Sequence, residues 1–263
     1  MVSIDGTDIS GATIDGTEVQ EITMDGDVVW EAFDGPDSAV LHYPMLNRSG
    51  STIEEQIEGS DGTAVGTTTV SNNYYEGYAE DGDGTDDYIE LTDWSEIDWG
   101  SMIMNDWSIG LTVEGTDNDV ILTGCRTSGA WQNRFGMGFH DATSDGVATM
   151  YHRDRGGNDN GQRLEGDTAI NDGNKHRILW GGSGNSASDK RIYVDGSDET
   201  NIVTDDGDHS LTTNHSENWL THASNDRGDL PHYPADAVLD NLIVYDAPPS
   251  EVVQDDYDLQ PWT

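Results

Sequence analysis

Basic residues are scarce in this sequence. Its 263 residues contain 11 Lys plus Arg against 52 Asp plus Glu, which sets the formal net charge at −41 at pH 7. Only two of the basic residues are lysines, Lys175 and Lys190. Because like charges repel, the balance argues against nucleic acid and against anionic membrane surfaces as partners.

Cysteine and long apolar runs are scarce as well. The single cysteine, Cys125, excludes an internal disulfide framework and a cysteine-based zinc site. No stretch approaches the roughly 20 apolar residues of a membrane-spanning helix, so membrane insertion is not expected. The N-terminus lacks the basic and apolar regions of a signal peptide, so we expect synthesis in the cytoplasm without one.

The acidic residues are distributed along the whole chain, between Val, Ile, Trp and Tyr. Self-repulsion at this charge density would destabilise a compact state in dilute buffer. In 1 M salt the Debye length shrinks to about 3 Å, and the repulsion is screened. We therefore expect a folded halophilic protein, as in haloarchaea and their viruses, which needs high K⁺ or Na⁺ for stability; the alternative is a disordered acidic chain.

An Asp-Gly pair recurs every ten residues near the N-terminus, at 5–6, 15–16 and 25–26. Each pair lies between apolar residues, which is the signal for a tight hairpin turn. The pattern predicts a module of about three hairpins over residues 1–35, too small to be stable alone. Residues 19–30 resemble a short module at the ends of virion proteins of tailed viruses. The resemblance implies anchoring to other virion proteins or oligomerisation; the alternative is a hairpin that merely starts the main domain.

Residues 36–263 alternate short apolar runs with Gly, Asn, Asp and Ser, which is typical of an all-β sandwich. The only helical pattern is a turn over 249–254 with Ser250 as its cap. The predicted strands are Tyr88–Leu91, Trp107–Val113, Val120–Leu122, Arg134–Phe139, Ala148–Tyr151, His176–Trp180, Arg191–Val194, Trp219–His222 and Ala237–Tyr245.

Four segments in order, 83–91, 106–113, 173–196 and 239–253, resemble the concanavalin A-like jelly roll in its laminin-G-like form. Gly110 and Thr112 stand where larger residues are usual, and Lys175 stands where Trp is usual. The resemblance implies an all-β, concanavalin A-like (laminin-G-like) jelly-roll sandwich over 36–263, preceded by the small β-hairpin module. It also implies that ligands meet the concave sheet or the rim loops.

Nine of the 11 basic residues lie between 126 and 191, around a polar, Gly-rich segment at 153–163 that we predict to be a binding loop. Arginine makes bidentate contacts with carboxylate and sulfate groups, and aromatic rings are platforms for sugars. The alternative is that these bases only neutralise neighbouring acids. The candidate ligand-binding residues for an acidic or sulfated glycan are Arg153, Arg155, Asn158, Asn160, Arg163, Trp131 and Tyr151.

A cluster of four aspartates with two glycines overlaps the start of the first jelly-roll segment. Carboxylate oxygens are the hard ligands that Ca²⁺ prefers, so the cluster predicts a calcium site; the alternative is a turn whose acids are solvated. The candidate ligands are Asp81, Asp83, Asp86 and Asp87.

Catalysis is not expected from the sequence. Glu96-Ile97-Asp98 matches only the first half of the carboxylate pattern of β-glucanases, and the second glutamate is absent. A retaining hydrolase needs two carboxylates, one as nucleophile and one as acid and base. We therefore expect that the protein is not an enzyme.

Together these patterns predict a homo-oligomeric virion surface protein of a halophilic tailed virus, either a tail fibre or spike or a capsid turret or decoration. It would attach to glycans or a glycoprotein of the host cell surface. The alternative is a purely structural decoration or assembly protein without a ligand, and a glycan hydrolase is a weaker one.

Overall fold

The computed structural model describes five longer continuous ranges, 37–44, 105–116, 146–153, 161–205 and 237–259. It also describes the short segments 2–4, 7–9, 13–14, 17–18, 21–24, 27–31, 47–49, 52–53, 61–65, 68–71, 76–79, 88–91, 121–126, 134–139 and 219–221, and residues 55 and 57.

The first six strands form three separate antiparallel hairpins, each around one of the Asp-Gly pairs. Strand β1 (Val2–Ile4) pairs with β2 (Thr7–Ile9), β3 (Thr13–Ile14) with β4 (Thr17–Glu18), and β5 (Glu21–Met24) with β6 (Asp27–Glu31). The division of the chain at residues 35 and 36, and the anchoring role of this module, remain predictions.

Among the described residues, eighteen further strands and one α-helix follow. They are β7 (Ala39–Tyr43), β8 (Asn47–Ser49), β9 (Thr52–Ile53), β10 (Gly62–Val65), β11 (Thr68–Ser71), β12 (Glu76–Ala79), β13 (Tyr88–Leu91), β14 (Trp107–Gly115), β15 (Ile121–Arg126), β16 (Arg134–Phe139), β17 (Val147–Arg153), β18 (Gln162–Ala169), β19 (Lys175–Gly182), β20 (Lys190–Val194), β21 (Ser197–Asp198), β22 (Asn201–Asp205), β23 (Trp219–Thr221), β24 (Ala237–Tyr245) and α1 (Pro249–Asp258).

These strands form two antiparallel sheets that enclose one core. The ten-stranded sheet has the order β22-β18-β17-β16-β15-β23-β13-β10-β9-β8, and the eight-stranded sheet has the order β11-β12-β24-β14-β19-β20-β21, with β7 also paired to β24. The core draws on both, for example Trp107, Ile178 and Val244 of the smaller sheet and Met150 and Leu164 of the larger. The predicted all-β jelly-roll sandwich is therefore confirmed.

Alternation along β14 explains how one strand serves two layers, because successive side chains point to opposite faces of a sheet. Trp107, Ile109 and Leu111 lie in the core between the sheets. Ser108 and Thr112 lie on the other face, where the Ser108 hydroxyl donates a hydrogen bond to the Ala247 carbonyl (2.6 Å). This outer face of the smaller sheet is covered by α1, which packs against β14, β19 and β20.

Helix α1 is longer than predicted, and Ser250 does not cap it. The N-cap residue is Pro248, no side chain caps the first turn, and Pro249 occupies the first helical position. Proline is favoured there because its φ angle suits a helix and its missing N–H has no intrahelical acceptor. The helix is too short to cross a membrane, and no other helix in the described ranges is long and apolar enough to do so.

Most predicted strands are present with shifted ends, and Tyr88–Leu91, Arg134–Phe139 and Ala237–Tyr245 have the predicted bounds. The predicted strands do not include β7 to β12, β18, β21 or β22, and of these β18 lies at the candidate site. The segment 153–163 was predicted to be one loop, but β17 extends to Arg153 and β18 begins at Gln162.

Candidate functional site

The candidate site lies on the outer face of the ten-stranded sheet, where β17 and β18 run side by side. Ala148 and Met150 of β17 point into the core, so Thr149 and Tyr151 belong to the opposite face. On β18, Leu164 is a core residue, which leaves Arg163 and Glu165 on the outer face. Tyr151 and Arg163 are direct cross-strand partners, as are Thr149 and Glu165.

Tyr151, Arg163 and Glu165 form one contact group, the outer-face trio. The Arg163 guanidinium donates a hydrogen bond to the Glu165 carboxylate and lies 5.6 Å from the centroid of the Tyr151 ring. Their positions suit a cation–π contact and a charge-assisted hydrogen bond. The Arg163 side chain is 15% exposed and that of Glu165 11%, so water reaches the pair.

The structure brings two predicted ligand-binding residues, Tyr151 and Arg163, into direct contact. Arg153 is the last residue of β17, the strand that also contains Tyr151, and it is the register partner of Arg134. Glu165 was not predicted; the spacing Arg163-x-Glu165 in a strand would have indicated it, because residues two apart share a face.

Several predicted residues lie outside the described residues. They are Trp131, Arg155, Asn158 and Asn160 of the glycan site, Asp81, Asp83, Asp86 and Asp87 of the calcium site, and Glu96 and Asp98 of the carboxylate pattern. Within the described ranges, no group of three or more His, Cys, Asp or Glu side chains is arranged to hold a metal ion.

The opposite outer face contains a second trio of an arginine, a carboxylate and a tyrosine, which no local sequence pattern indicates. Arg177 Nε lies 2.9 Å from Asp256 Oδ2, and a second guanidinium nitrogen lies 2.5 Å from Oδ1. The Tyr245 hydroxyl donates to the same carboxylate (2.6 Å). Asp256 belongs to α1 and Arg177 to β19, and the two side chains are each 1% exposed at the interface of the helix and the sheet. We call Arg177, Asp256 and Tyr245 the helix-covered trio.

Burial and charge shift the pKa values in the helix-covered trio. Burial opposes the charged form of Arg177, but Asp256 outweighs it and raises the pKa of the guanidinium. The pKa of Tyr245 is raised well above its usual value, first by burial and then by the Asp256 charge. Both shifts keep Arg177 charged and Tyr245 protonated at neutral pH, as a stable structural network requires.

Gly110 makes room for this network. A Cβ atom at residue 110 would lie 2.2 Å from Asp256 Oδ1 and 2.3 Å from an Arg177 guanidinium nitrogen. Thr112 accepts a hydrogen bond from Arg177 at 3.2 Å. The two departures from the jelly-roll pattern, a glycine and a small polar residue, are therefore adaptations to a buried ion pair.

Lys175 also lies outside the sandwich core. It shares the outer face of β19 with Arg177 and Leu179, and it is the cross-strand partner of Glu114. The replacement of Trp by Lys therefore takes no contact from between the sheets. Burial lowers the pKa of Lys175 to about 8, although Asp240 and Glu114 oppose the shift.

The other lysine, Lys190, is fully buried among neutral oxygens. Its Nζ donates to Gln162 Oε1 (2.5 Å) and to the carbonyls of Asn185 (2.8 Å) and Ser186 (3.2 Å). Gln162 Nε2 donates to the Asn185 carbonyl as well. These hydrogen bonds connect the 183–189 turn to Gln162 at the start of β18, the strand that also carries Arg163.

No protein-family model matches the sequence, and no curated protein matches it. Solved structures do share the fold. Domain 4 of AbnA, a GH43 extracellular arabinanase from Geobacillus stearothermophilus solved with arabinotriose, is 16% identical, with a TM-score of 0.55 over 83% of this chain and 99% of that one. The CBM40 of Ruminococcus gnavus IT-sialidase, bound to α2,3-sialyllactose, is 12% identical, with a TM-score of 0.50 over 73% of this chain and 96% of that one.

A third similar structure is an enzyme. Trypanosoma rangeli sialidase, solved with 2,3-difluorosialic acid as a covalent intermediate, is 12% identical, with a TM-score of 0.52 over 88% of this chain. This chain spans only 33% of the length of that sialidase chain. At these identities the likeness shows the fold, which is a β-sandwich that occurs in carbohydrate-binding domains and in glycosidases.

The expectation that the protein is not an enzyme is contradicted by this comparison. That expectation was based on an incomplete carboxylate pattern, yet the same fold occurs within a sialidase that forms a covalent intermediate. A missing β-glucanase pattern therefore does not decide the question for this fold, since a fold hosts many different sites.

Proposed function

We propose that this protein is a surface component of the virion of a halophilic tailed virus and that it binds glycans of the host cell surface. The outer-face trio carries the proposal: an arginine, a carboxylate and an aromatic ring meet at Tyr151 and Arg163, two residues selected from the sequence as glycan contacts. Planar hydrogen-bonding groups beside an aromatic ring are what sugar recognition uses.

Three observations support the wider setting. The fold occurs in a CBM40 bound to a sialylated sugar and in an arabinanase domain bound to arabinotriose. The net charge of −41 suits a halophilic source. The three N-terminal hairpins and the resemblance of residues 19–30 to a virion module support attachment to other virion proteins.

A homo-oligomer belongs to the proposal. Strand β22 is one of the two edge strands of the ten-stranded sheet, and it exposes Ile202 and Val203 at 46% and 47%. Apolar residues on an open edge strand favour pairing with another chain. Several copies would convert weak binding of one sugar into firm attachment.

The test is binding of the full-length protein, in molar KCl, to a haloarchaeal surface glycoprotein before and after deglycosylation. We expect saturable binding that deglycosylation removes and that Arg163→Gln and Tyr151→Ala weaken by at least about tenfold. Arg191→Gln is the matched control, because Arg191 is a half-exposed arginine of the other sheet.

Correctly folded, oligomeric protein that binds neither form of the glycoprotein would contradict the proposal and favour a structural decoration protein. The halophilic setting is tested separately by circular dichroism. We expect the fold to be lost as KCl is lowered from molar to about 0.1 M, where the Debye length grows to about 10 Å.

A further inference from the structure

Three of the nine arginines occupy one row across three neighbouring strands. Arg126 of β15 is the register partner of Arg134 of β16, and Arg134 is the register partner of Arg153 of β17. Register partners share a face of the sheet. Alternation along β17 puts position 153 on the face of Tyr151, so the arginine row (Arg126, Arg134, Arg153) lies on the face of the outer-face trio.

The row is unusual for this composition. Acidic residues outnumber basic ones by 52 to 11, yet within the described strand pairs each arginine of the row has only arginine as its cross-strand partner. Like charges directly opposite each other destabilise a sheet.

The neighbouring row strengthens the contrast. Its register positions are Gly124, Gly136, Tyr151 and Arg163, so two glycines stand beside the arginine row and the outer-face trio continues it. No acid occupies either row on these strands, and Glu165 comes only in the row beyond. The two rows together carry four arginines, of which Arg163 is paired with Glu165 and the other three form the arginine row.

We propose that the arginine row is an anion subsite that holds carboxylate or sulfate groups of the bound glycan. The inference rests on the proposed glycan-binding function and adds Arg126 and Arg134, beside Arg153, as the residues that hold the anionic groups. Guanidinium groups form bidentate hydrogen bonds with both anions, and neighbouring strands lie about 4.8 Å apart, so three positions span about 10 Å. A bound anion would relieve the repulsion within the row, and Tyr151 would contact the sugar ring beside it.

The test uses the full-length protein in molar KCl, where long-range attraction is screened and only short-range contacts distinguish ligands. The probes are glycans released from a haloarchaeal surface glycoprotein, untreated, with carboxylates reduced to alcohols, or with sulfates removed. We expect one of the two treatments to weaken binding by at least about tenfold, and the treatment that does so identifies the anion.

Arg134, the centre of the row, supplies the variants. Arg134→Gln is expected to lower the affinity for untreated glycans to that for the neutralised ones. Arg134→Lys should recover only part of it, because an ammonium lacks the bidentate fork. Arg191→Gln should change nothing. In the absence of glycan, Arg134→Gln should raise the melting temperature, since it removes two like-charge cross-strand pairs.

The outcomes separate this inference from the proposed function. Binding that deglycosylation removes but that neither chemical treatment weakens would overturn the anion subsite and leave glycan binding in place. Unchanged affinity in a folded Arg134→Gln variant would also overturn it. Absence of binding to any glycan, by protein whose fold is intact, would overturn both.

Discussion

The two outer faces of the sandwich carry the same three residue types, an arginine, a carboxylate and a tyrosine, in different settings. The helix-covered trio is buried between α1 and the smaller sheet, and its arginine and carboxylate side chains are each 1% exposed. In the outer-face trio the corresponding side chains are 15% and 11% exposed. Coverage by α1, and not the type of residue, therefore distinguishes the structural ion pair from the candidate binding site.

This difference in burial changes how much stability each ion pair loses when one partner is removed. A buried ion pair loses its hydration, so each charge depends on its partner, and removal of one partner leaves the other uncompensated. The Arg163–Glu165 pair keeps part of its surface in water, so removal of one partner leaves the other less completely desolvated. Variants that treat the two faces alike should therefore give unequal effects.

The largest effect is expected from Asp256→Asn. The change leaves the Arg177 guanidinium buried without a counter-charge, so the free energy of unfolding should fall by about 3–5 kcal/mol. The measurement is denaturant unfolding in molar KCl. Glu165→Gln on the other face is the matched variant, with an expected loss of about 1.5 kcal/mol. Equal losses of stability in the two variants would contradict the expected effect of burial.

The next effect is expected from Gly110→Ala, since the added methyl group would overlap both Asp256 and Arg177. Overpacking of this kind costs about 1–3 kcal/mol. The control is Gly166→Ala in β18, where the nearest atom, Glu199 Oε2, is 3.2 Å from the new Cβ. Thermal unfolding of the two variants side by side checks this. A destabilisation at Gly166 as large as that at Gly110 would contradict the explanation.

Tyr245→Phe sharpens the role of the hydroxyl. It removes the hydrogen bond to the buried Asp256 carboxylate, with an expected loss of about 1–1.5 kcal/mol in chemical unfolding. Tyr193→Phe is the control, because Tyr193 is half-buried and packs against the apolar cluster that includes Tyr245. If the two variants lost the same stability, the hydroxyl bond would have no special role.

The smallest effect is expected at His176, on the strand that also carries Arg177. Its Nδ1 lies 2.8 Å from Asp195 and its Nε2 3.2 Å from Asp172, carboxylates that are 40% and 41% exposed. The hydrogen bond to Asp195 raises the pKa of His176, against the effect of burial. Stability from this charge is complete below pH about 6.5 and is lost as the pH rises through the raised folded-state pKa.

The check is the pH dependence of unfolding for the wild type and His176→Asn between pH 5.5 and 8.5. The wild type should lose stability relative to the variant over this range, by about 1 kcal/mol or less because the carboxylates are exposed. Parallel curves would show that His176 gains nothing from its partners.

Much of the fold followed from local sequence patterns. Alternation and turn residues predicted β13, β16 and β24 with correct bounds, and the Asp-Gly pairs predicted the three hairpins. Strand β18 was missed because its residues, Gln162 to Ala169, include five polar or charged side chains and a glycine, a composition typical of loops. Pairing with β17 on one side and β22 on the other stabilises it as a strand. Both partners are separate segments of the chain, so the local pattern of residues 162–169 does not reveal the pairing.

The candidate site was only partly predictable for the same reason. Sequence proximity suggested Arg153 and Arg163 as one loop, whereas strand pairing brings Arg163 to Tyr151 and Arg153 to Arg134. The reason for the glycine at position 110 lies in the tertiary structure, because Asp256, 146 residues away, lies against it.

By itself, the sequence determined the charge, the all-β character and the hairpin turns, because composition, alternation and turn chemistry are properties of neighbouring residues. Only the tertiary structure decided which arginine is buried with Asp256 and which shares a face with Tyr151. These contacts join residues from distant strands, and strand register, which depends on the packing of the whole sheet, selects them.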